Sequence, residues 1–350
     1  MLPGLLITAL LTACIAVLGC WAPRRPRPLA LMSFAVGQVV RELPLYPAIW
    51  IVLALAFAVI NPGLTWADAA SVALAGVTIS LLAVVAARGA ASARALTAEF
   101  ARFGLAPVRP ALRGLIWPFP LPDRSIRRIP DIPYGPDRRQ RLDVWTPLSA
   151  HARHPVLVFF HGGGYSSGGR RRTSRTLLTR LARDGWVCIT ADYRLRPAAG
   201  LPEHLVDGRA VLAWARQHSA ELGARESVVL VGSSAGAHLA ALLALGCEKA
   251  EAVVGFFGYY GPYWEDPSPR GDPLRLTGGD APPFLLIDGG QDTYLPPDSS
   301  RAFAEALRGG SSHPVLRVVL PGAQHNFDLT GSVRFTAVVD AVRIFLNAVT

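Results

Sequence analysis

The sequence predicts an α/β fold, a mostly parallel central sheet flanked by helices, preceded by a transmembrane helical region. Three observations carry this. The N-terminal part holds long apolar runs. From about Asp137 onward, short β-branched or aromatic runs alternate with longer helical stretches. The composition is also apolar for a soluble enzyme: 51% hydrophobic, 17% charged, with a mean hydropathy of +0.31. At 350 residues there is room for one large domain or two smaller ones.

Residues 1–104 read as a membrane region of about three transmembrane helices plus an amphipathic helix. Leu2 to Ala22 is uncharged and apolar. Leu45 to Ile60 is a shorter run, stopped by Asn61-Pro62-Gly63. Ala69 to Ala87 is a third, stopped at Arg88. Roughly 20 residues at 1.5 Å each cross the hydrocarbon layer, so the first and third are long enough. Leu29 to Val40 reads as an interfacial or re-entrant helix. Ala90 to Gly104 has arginines and small apolar residues at helical spacing, as an amphipathic surface helix does. No Lys or Arg precedes Leu5, which argues against a cleaved signal peptide, and also against a lipoprotein signal at Val17-Leu18-Gly19-Cys20.

Arginine placement sets the orientation. Arg24, Arg25, Arg27 and Arg41 lie between the first two runs, and Arg88, Arg94 and Arg102 follow the third. Basic loops stay cytoplasmic, which predicts a multi-pass cell-membrane protein with everything after Arg88 cytoplasmic, the C-terminal domain included. The net charge is +10. It is almost all arginine, scattered rather than interleaved with aromatics, so anionic lipid fits better than nucleic acid. Cys14, Cys20, Cys188 and Cys247 show no C-x-x-C spacing. They read as buried thiols, with no zinc site and no disulfide framework.

Residues 105–136 are dense in proline and read as an extended linker. The catalytic domain follows at 137–350. Its strands are expected at Arg141–Thr146, Pro155–Phe160, Gly185–Tyr193, Val228–Val231, Val253–Tyr260, Pro283–Asp288 and Val315–Leu320. Ligand chemistry in such sheets sits at the carboxyl ends of the strands. Four polar sites fall there: His161-Gly162-Gly163-Gly164, Gly232-Ser233-Ser234-Ala235-Gly236, Gln291-Asp292 and His325-Asn326-Phe327. Glycine two residues before and after a serine lets a strand-to-helix turn bend sharply and hold the hydroxyl out. Only Ser234 has both, as Gly232 and Gly236; Ser233 is flanked by Val231 and Ala235.

Those motifs, with Asp192 to Leu195 ("DYRL"), resemble the α/β-hydrolase fold from about Tyr134 onward, and within it the hormone-sensitive-lipase-like carboxylesterases. The resemblance implies a Ser234–His325–Asp292 triad acting through an acyl-enzyme. His325 follows a late strand and a Pro-Gly turn, as that family's base does. Asp292 stands where the family has its acid, while Asp288 replaces a histidine of the family pattern. Gly162, Gly163 and Ala235 would supply an oxyanion hole, with His161 and Gly164 shaping the loop. His238 reads as packed support. Arg170-Arg171-Arg172 reads as a solvated face or a contact for lipid phosphates. The expected substrate is a small-molecule or lipid ester, and membrane lipid the expected partner. No metal or organic cofactor is implied. An amide-cleaving hydrolase on the same triad, and a non-catalytic receptor on the same frame, are the alternatives. Oligomeric state is not legible.

Overall fold

The computed structural model describes residues 2–60, 66–120, 123–148, 154–246, 248–263 and 268–350. Asn61-Pro62-Gly63 and Cys247 lie outside the described residues. Five helical pieces open the chain: α1 (Leu2–Cys20), α2 (Arg27–Met32), a π turn (Ser33–Gly37), α3 (Gln38–Glu42) and α4 (Leu45–Ile60). A long helix, α5 (Trp66–Ala101), follows. Next come β1 (Ile126–Pro133), β2 (Arg141–Pro147), β3 (Pro155–Phe160), α6 (Arg175–Arg183), β4 (Cys188–Ala191), α7 (Leu201–Leu222) and β5 (Arg225–Ser233). The chain ends with α8 (Ala235–Gly246), β6 (Ala252–Phe256), β7 (Phe284–Gly289), α9 (Asp298–Gly310), β8 (Val315–Leu320) and α10 (Val333–Val349).

Among the described residues, eight strands form one sheet in the order β1-β2-β4-β3-β5-β6-β7-β8. β1 and β2 are antiparallel, and every pairing from β4 to β8 is parallel. Alternate residues of each strand feed opposite layers. On β3, Val156, Val158 and Phe160 pack with α7, α8 and α9. Leu157 and Phe159 pack with α6, α10 and the C-terminal part of α5. Fully burying such side chains contributes about 1.5–3 kcal/mol each.

Three expectations change. Ala90–Gly104 is not a separate surface helix, because α5 runs unbroken through Arg88. Its Leu96 and Phe100 are fully buried in the sheet's second layer, so this part packs as one with the sheet. The charge at Arg88 needs no helix break: Arg88 Nη1 donates to the Cys20 carbonyl at the end of α1, at 2.7 Å. The linker expected over 105–136 also contains structure, since β1 pairs along β2 as the sheet's outer strand. Among the described residues, one helix, over Ala69–Ala101, is long and apolar enough to cross a membrane. The number is two if Arg27–Glu42 and Leu45–Phe57, bent by 82°, are one broken span. The stretch of α1 over Leu5–Cys20 is a shorter apolar helix.

A buried ion pair fastens the N-terminal helices to the domain. Glu42 bonds Arg334 of α10, and both side chains are almost fully enclosed. Arg334 also donates to the Arg41 carbonyl and to Ser92 Oγ, each at 3.3 Å. Ser332 caps α10: its Oγ accepts from Phe335 N–H at 3.1 Å and donates to Glu42 Oε2 at 2.5 Å. Glu42 therefore sits at the positive end of α10. Removing one partner leaves a buried charge alone, which costs about 3–5 kcal/mol. Glu42→Ala is expected to lower the Tm of the detergent-solubilised chain by several degrees. Adding Arg334→Met should recover part of that loss. An unchanged Tm in Glu42→Ala would show that the pair contributes nothing net.

Candidate active site

β5 ends at Ser233, and α8 begins at Ala235, so Ser234 alone makes the turn between them. Its φ is +52°, the left-handed region where non-glycine residues are strained. The Ser234 N–H donates to the Phe256 carbonyl at 2.9 Å and pins this conformation. Gly232 and Gly236 are required by space. A Cβ on Gly232 would lie 2.2 Å from the Gly236 carbonyl oxygen, and one on Gly236 2.0 Å from that of Phe160. The hydroxyl is thereby lifted above the sheet at the carboxyl end of its central strand.

Ser234 Oγ stands 3.0 Å from His325 Nε2, and His325 Nδ1 is 2.7 Å from Asp292 Oδ2. All three residues are at least nine-tenths buried. The other Asp292 oxygen accepts N–H bonds from Tyr294 at 2.8 Å and Leu295 at 2.7 Å, which fix the carboxylate. The rings of Phe257 and Tyr294 stand 4.6 Å and 5.2 Å from that of His325. Gln324 joins the two loops. Its Oε1 accepts from the N–H groups of Thr293 at 2.7 Å and His325 at 3.0 Å. Gln324 immediately precedes His325 in the sequence, but its amide role needs the folded loops to be seen. Phe257 and Tyr294 carry no such signal in the sequence.

Asp288 stands apart from this chain. It bonds Ser300 and lies 3.3 Å from Arg317, and burial lifts its carboxyl to about 7. The two serines also separate. Ser233 Oγ accepts the Gly162 N–H at 3.1 Å. This corrects the expectation of Gly162 as an oxyanion donor, because its N–H is already engaged. The Gly163 and Ala235 N–H groups have no such partner among the described residues. Gly163, at φ +125°, and Gly164, at φ +59°, take left-handed conformations open to glycine. His161 shapes this loop from below: its Nδ1 lies 2.8 Å from the Gly162 carbonyl, and its ring stacks on Tyr193 at 4.4 Å. Burial pushes the His161 pKa below its ordinary value.

His238 is held away from the triad. Its Nδ1 is 2.8 Å from Tyr165 Oη, and its Nε2 faces the Gly261 and Gly271 carbonyls. Burial brings its pKa down to about 4, so it is neutral at pH 7. With Nε2 against two acceptors, Nε2 carries the proton and Nδ1 accepts from Tyr165. Arg170 and Arg171 do not form a free face for lipid phosphate. Arg170 pairs with Asp131, Asp143 and Asp192, and Arg171 with Asp131 and Asp143.

Comparison with known proteins places these features. A family model described as BD-FAE matches residues 142–260. Esterase LipC of Mycobacterium tuberculosis is 34% identical over 259 residues, covering 62% of this chain and 64% of that protein. Esterase LipQ of the same organism is 34% identical over 260 residues, covering 63% and 62%. The chain thus spans slightly less than two thirds of either relative. Among solved structures, Thermogutta terrifontis esterase 2 phosphoramylated by tabun superposes with a TM-score of 0.57. It is 24% identical over 65% of this chain and 96% of that one. A bacterial heroin esterase gives 0.55 at 22% identity, over 65% and 86%. The sheet-bearing part has the α/β-hydrolase fold.

The two aspartates are separable by experiment. Loss of a triad acid typically lowers rate by about 10⁴-fold while geometry survives. Asp292→Asn is expected to slow fluorophosphonate labelling by about 10³–10⁴-fold, and Asp288→Asn by less than about threefold. Similar losses in both variants would contradict the assignment of Asp292.

Proposed function

We propose that the chain is a membrane-anchored serine hydrolase that cleaves carboxylic esters, lipid-like or of short-to-medium acyl length. The observation that carries this reading is the unbroken chain of contacts from Ser234 through His325 to Asp292 at the sheet's carboxyl edge. The esterase relatives support it.

A serine hydroxyl is a poor nucleophile at its own pKa, so the reaction needs a base in contact with it. His325 Nε2 takes the Ser234 proton as Oγ attacks the ester carbonyl. Asp292 holds Nδ1–H and stabilises the imidazolium that forms. The developing oxyanion is met by the N–H groups of Gly163 and Ala235, the latter at the N-terminus of α8. His325 then returns the proton to the leaving alkoxide, which departs as the alcohol and leaves an acyl group on Ser234. Water, activated by the same imidazole, releases the carboxylic acid and restores the serine.

The anchoring part rests on α5 and the arginine pattern. In this reading Ala69–Ala87 of α5 lies in the bilayer, and the catalytic domain is cytoplasmic. Arg24, Arg25 and Arg27 then stand on the domain's side of the membrane. A C-terminal reporter active only in the cytoplasm is the expected result; activity only on the far side would reverse the orientation.

Ser234→Ala is expected to abolish both p-nitrophenyl ester hydrolysis and fluorophosphonate labelling. Ser233→Ala should remain active, slowed about 3–10-fold by loss of one hydrogen bond to the glycine loop. Hydrolysis that survives Ser234→Ala would overturn the assignment.

A further inference from the structure

The Arg27–Glu42 segment lies across the loops that carry Asp292 and His325. Thr293 Oγ1 donates to the Ala30 carbonyl at 3.3 Å, and Gln38 Nε2 to the Asn326 carbonyl at 3.0 Å. Arg41 Nε donates to Gln291 Oε1 at 3.1 Å, while Gln291 Nε2 donates to the Cys20 carbonyl at 2.8 Å. Gln324 Nε2 reaches the Ser33 carbonyl at 3.5 Å. These contacts hold the π turn Ser33–Gly37 directly over the base. Phe34 is the ring this delivers, 6.2 Å from the His325 ring and 5.9 Å from that of Tyr294.

Ser234 is only 5% exposed, so its neighbours decide which substrates fit. The glycine loop is one neighbour, where a Cβ on Gly162 would stand 3.0 Å from Ser234 Cβ. His325 is another, with the rings of Phe257, Tyr294 and Phe34 near it. Phe34 is half-buried and Tyr294 is exposed. Leu31, Met32 and Val36 of the same segment are also exposed. A hydrocarbon chain leaving the reacting carbonyl on this side meets the Phe34 and Tyr294 rings, and burying it there is favourable by about 0.8 kcal/mol per methylene.

We propose that Phe34, contributed by the N-terminal segment, is a specificity-determining residue that forms with Tyr294 the wall for the long hydrocarbon chain of an ester substrate. This rests on the esterase reading above. The N-terminal region then supplies part of the substrate site as well as the anchor. A ring that only steadied His325 would act on long and short esters alike, which separates the two roles.

The full chain in detergent is assayed with p-nitrophenyl dodecanoate and p-nitrophenyl butanoate. Phe34→Ala is expected to lower the dodecanoate-to-butanoate ratio of kcat/KM by about tenfold, mainly by raising KM for the long ester. Phe34→Leu, which keeps an apolar wall, should hold the ratio within about twofold of the unsubstituted chain. Labelling of Ser234 by a small fluorophosphonate reports whether each variant is folded. Should Phe34→Ala fail to label, Phe34→Trp decides: its larger ring crowds the space beside His325 and should lower the ratio by about fivefold. An unchanged ratio in a labelled variant, or an equal fall for both esters, overturns the proposal and leaves the esterase reading standing. Failure of the unsubstituted chain to cleave either ester overturns the esterase reading, and this inference with it.

Discussion

The left-handed turn at Ser234 is the constraint on which the site depends. A serine at φ +52° costs of order 1–3 kcal/mol and persists only where its surroundings leave no alternative. Those surroundings are set by the sheet. In the parallel register of β3 with β5, Phe160 pairs with Gly232. The residues after Phe160 must therefore run beside those after Gly232, which brings the glycine loop against the two serines. The missing side chains at Gly232 and Gly236 let these backbones approach, and Ser233 closes the gap with its bond from Gly162 N–H. The adjacent serines thus divide the work: Ser233 ties down the loop, and Ser234 projects from it.

The acid and base reach the same point from further along the sheet. β7 and β8 pair through Gly289 and Leu320, so the loops after them rise together. Gln324 then bridges these loops through both of its amide atoms. The fixed carboxylate of Asp292 matters because it selects one orientation of the imidazole. Asp288, four residues earlier, has a similar carboxyl in a different setting. It lies under α9 against Ser300 and Arg317, and burial raises its pKa. Environment separates the two aspartates.

Much of the site is legible in the sequence because its chemistry depends on local spacing. The glycines around Ser234 distinguish it from Ser233 before any fold is known, since backbone clearance at a turn is a property of neighbouring residues. His325 and Asp292 follow from strand order and family pattern. What escaped was set by distant contacts. Gly162 reads as an oxyanion donor until Ser233 Oγ is found on its N–H. Arg88 reads as the end of a span, yet its charge is met by the Cys20 carbonyl of another helix. The alanine-rich stretch beyond it favours helix strongly enough to continue. The arginines at 170 and 171 read as a solvated face until Asp131, Asp143 and Asp192 are brought to them from other strands and loops.

The continuous α5 has a mechanical consequence. Its 36 residues span about 54 Å at 1.5 Å each. The proposed bilayer part, Ala69–Ala87, takes up about 30 Å of that. The remainder is locked into the sheet's second layer by Leu96 and Phe100. The helix is unbroken between the two parts, so in the proposed anchored state the domain would not swing freely. Glu42 and Arg334 add a second, buried attachment at the end of the Arg27–Glu42 segment. On the proposed anchoring, these two attachments would fix the height and tilt of the Ser234 site above the bilayer plane. A flexible linker would have let the domain sample any orientation. The proposed arrangement would instead hold the edge of the sheet that carries Ser234 and His325, together with Phe34 beside His325, at a constant position relative to the membrane.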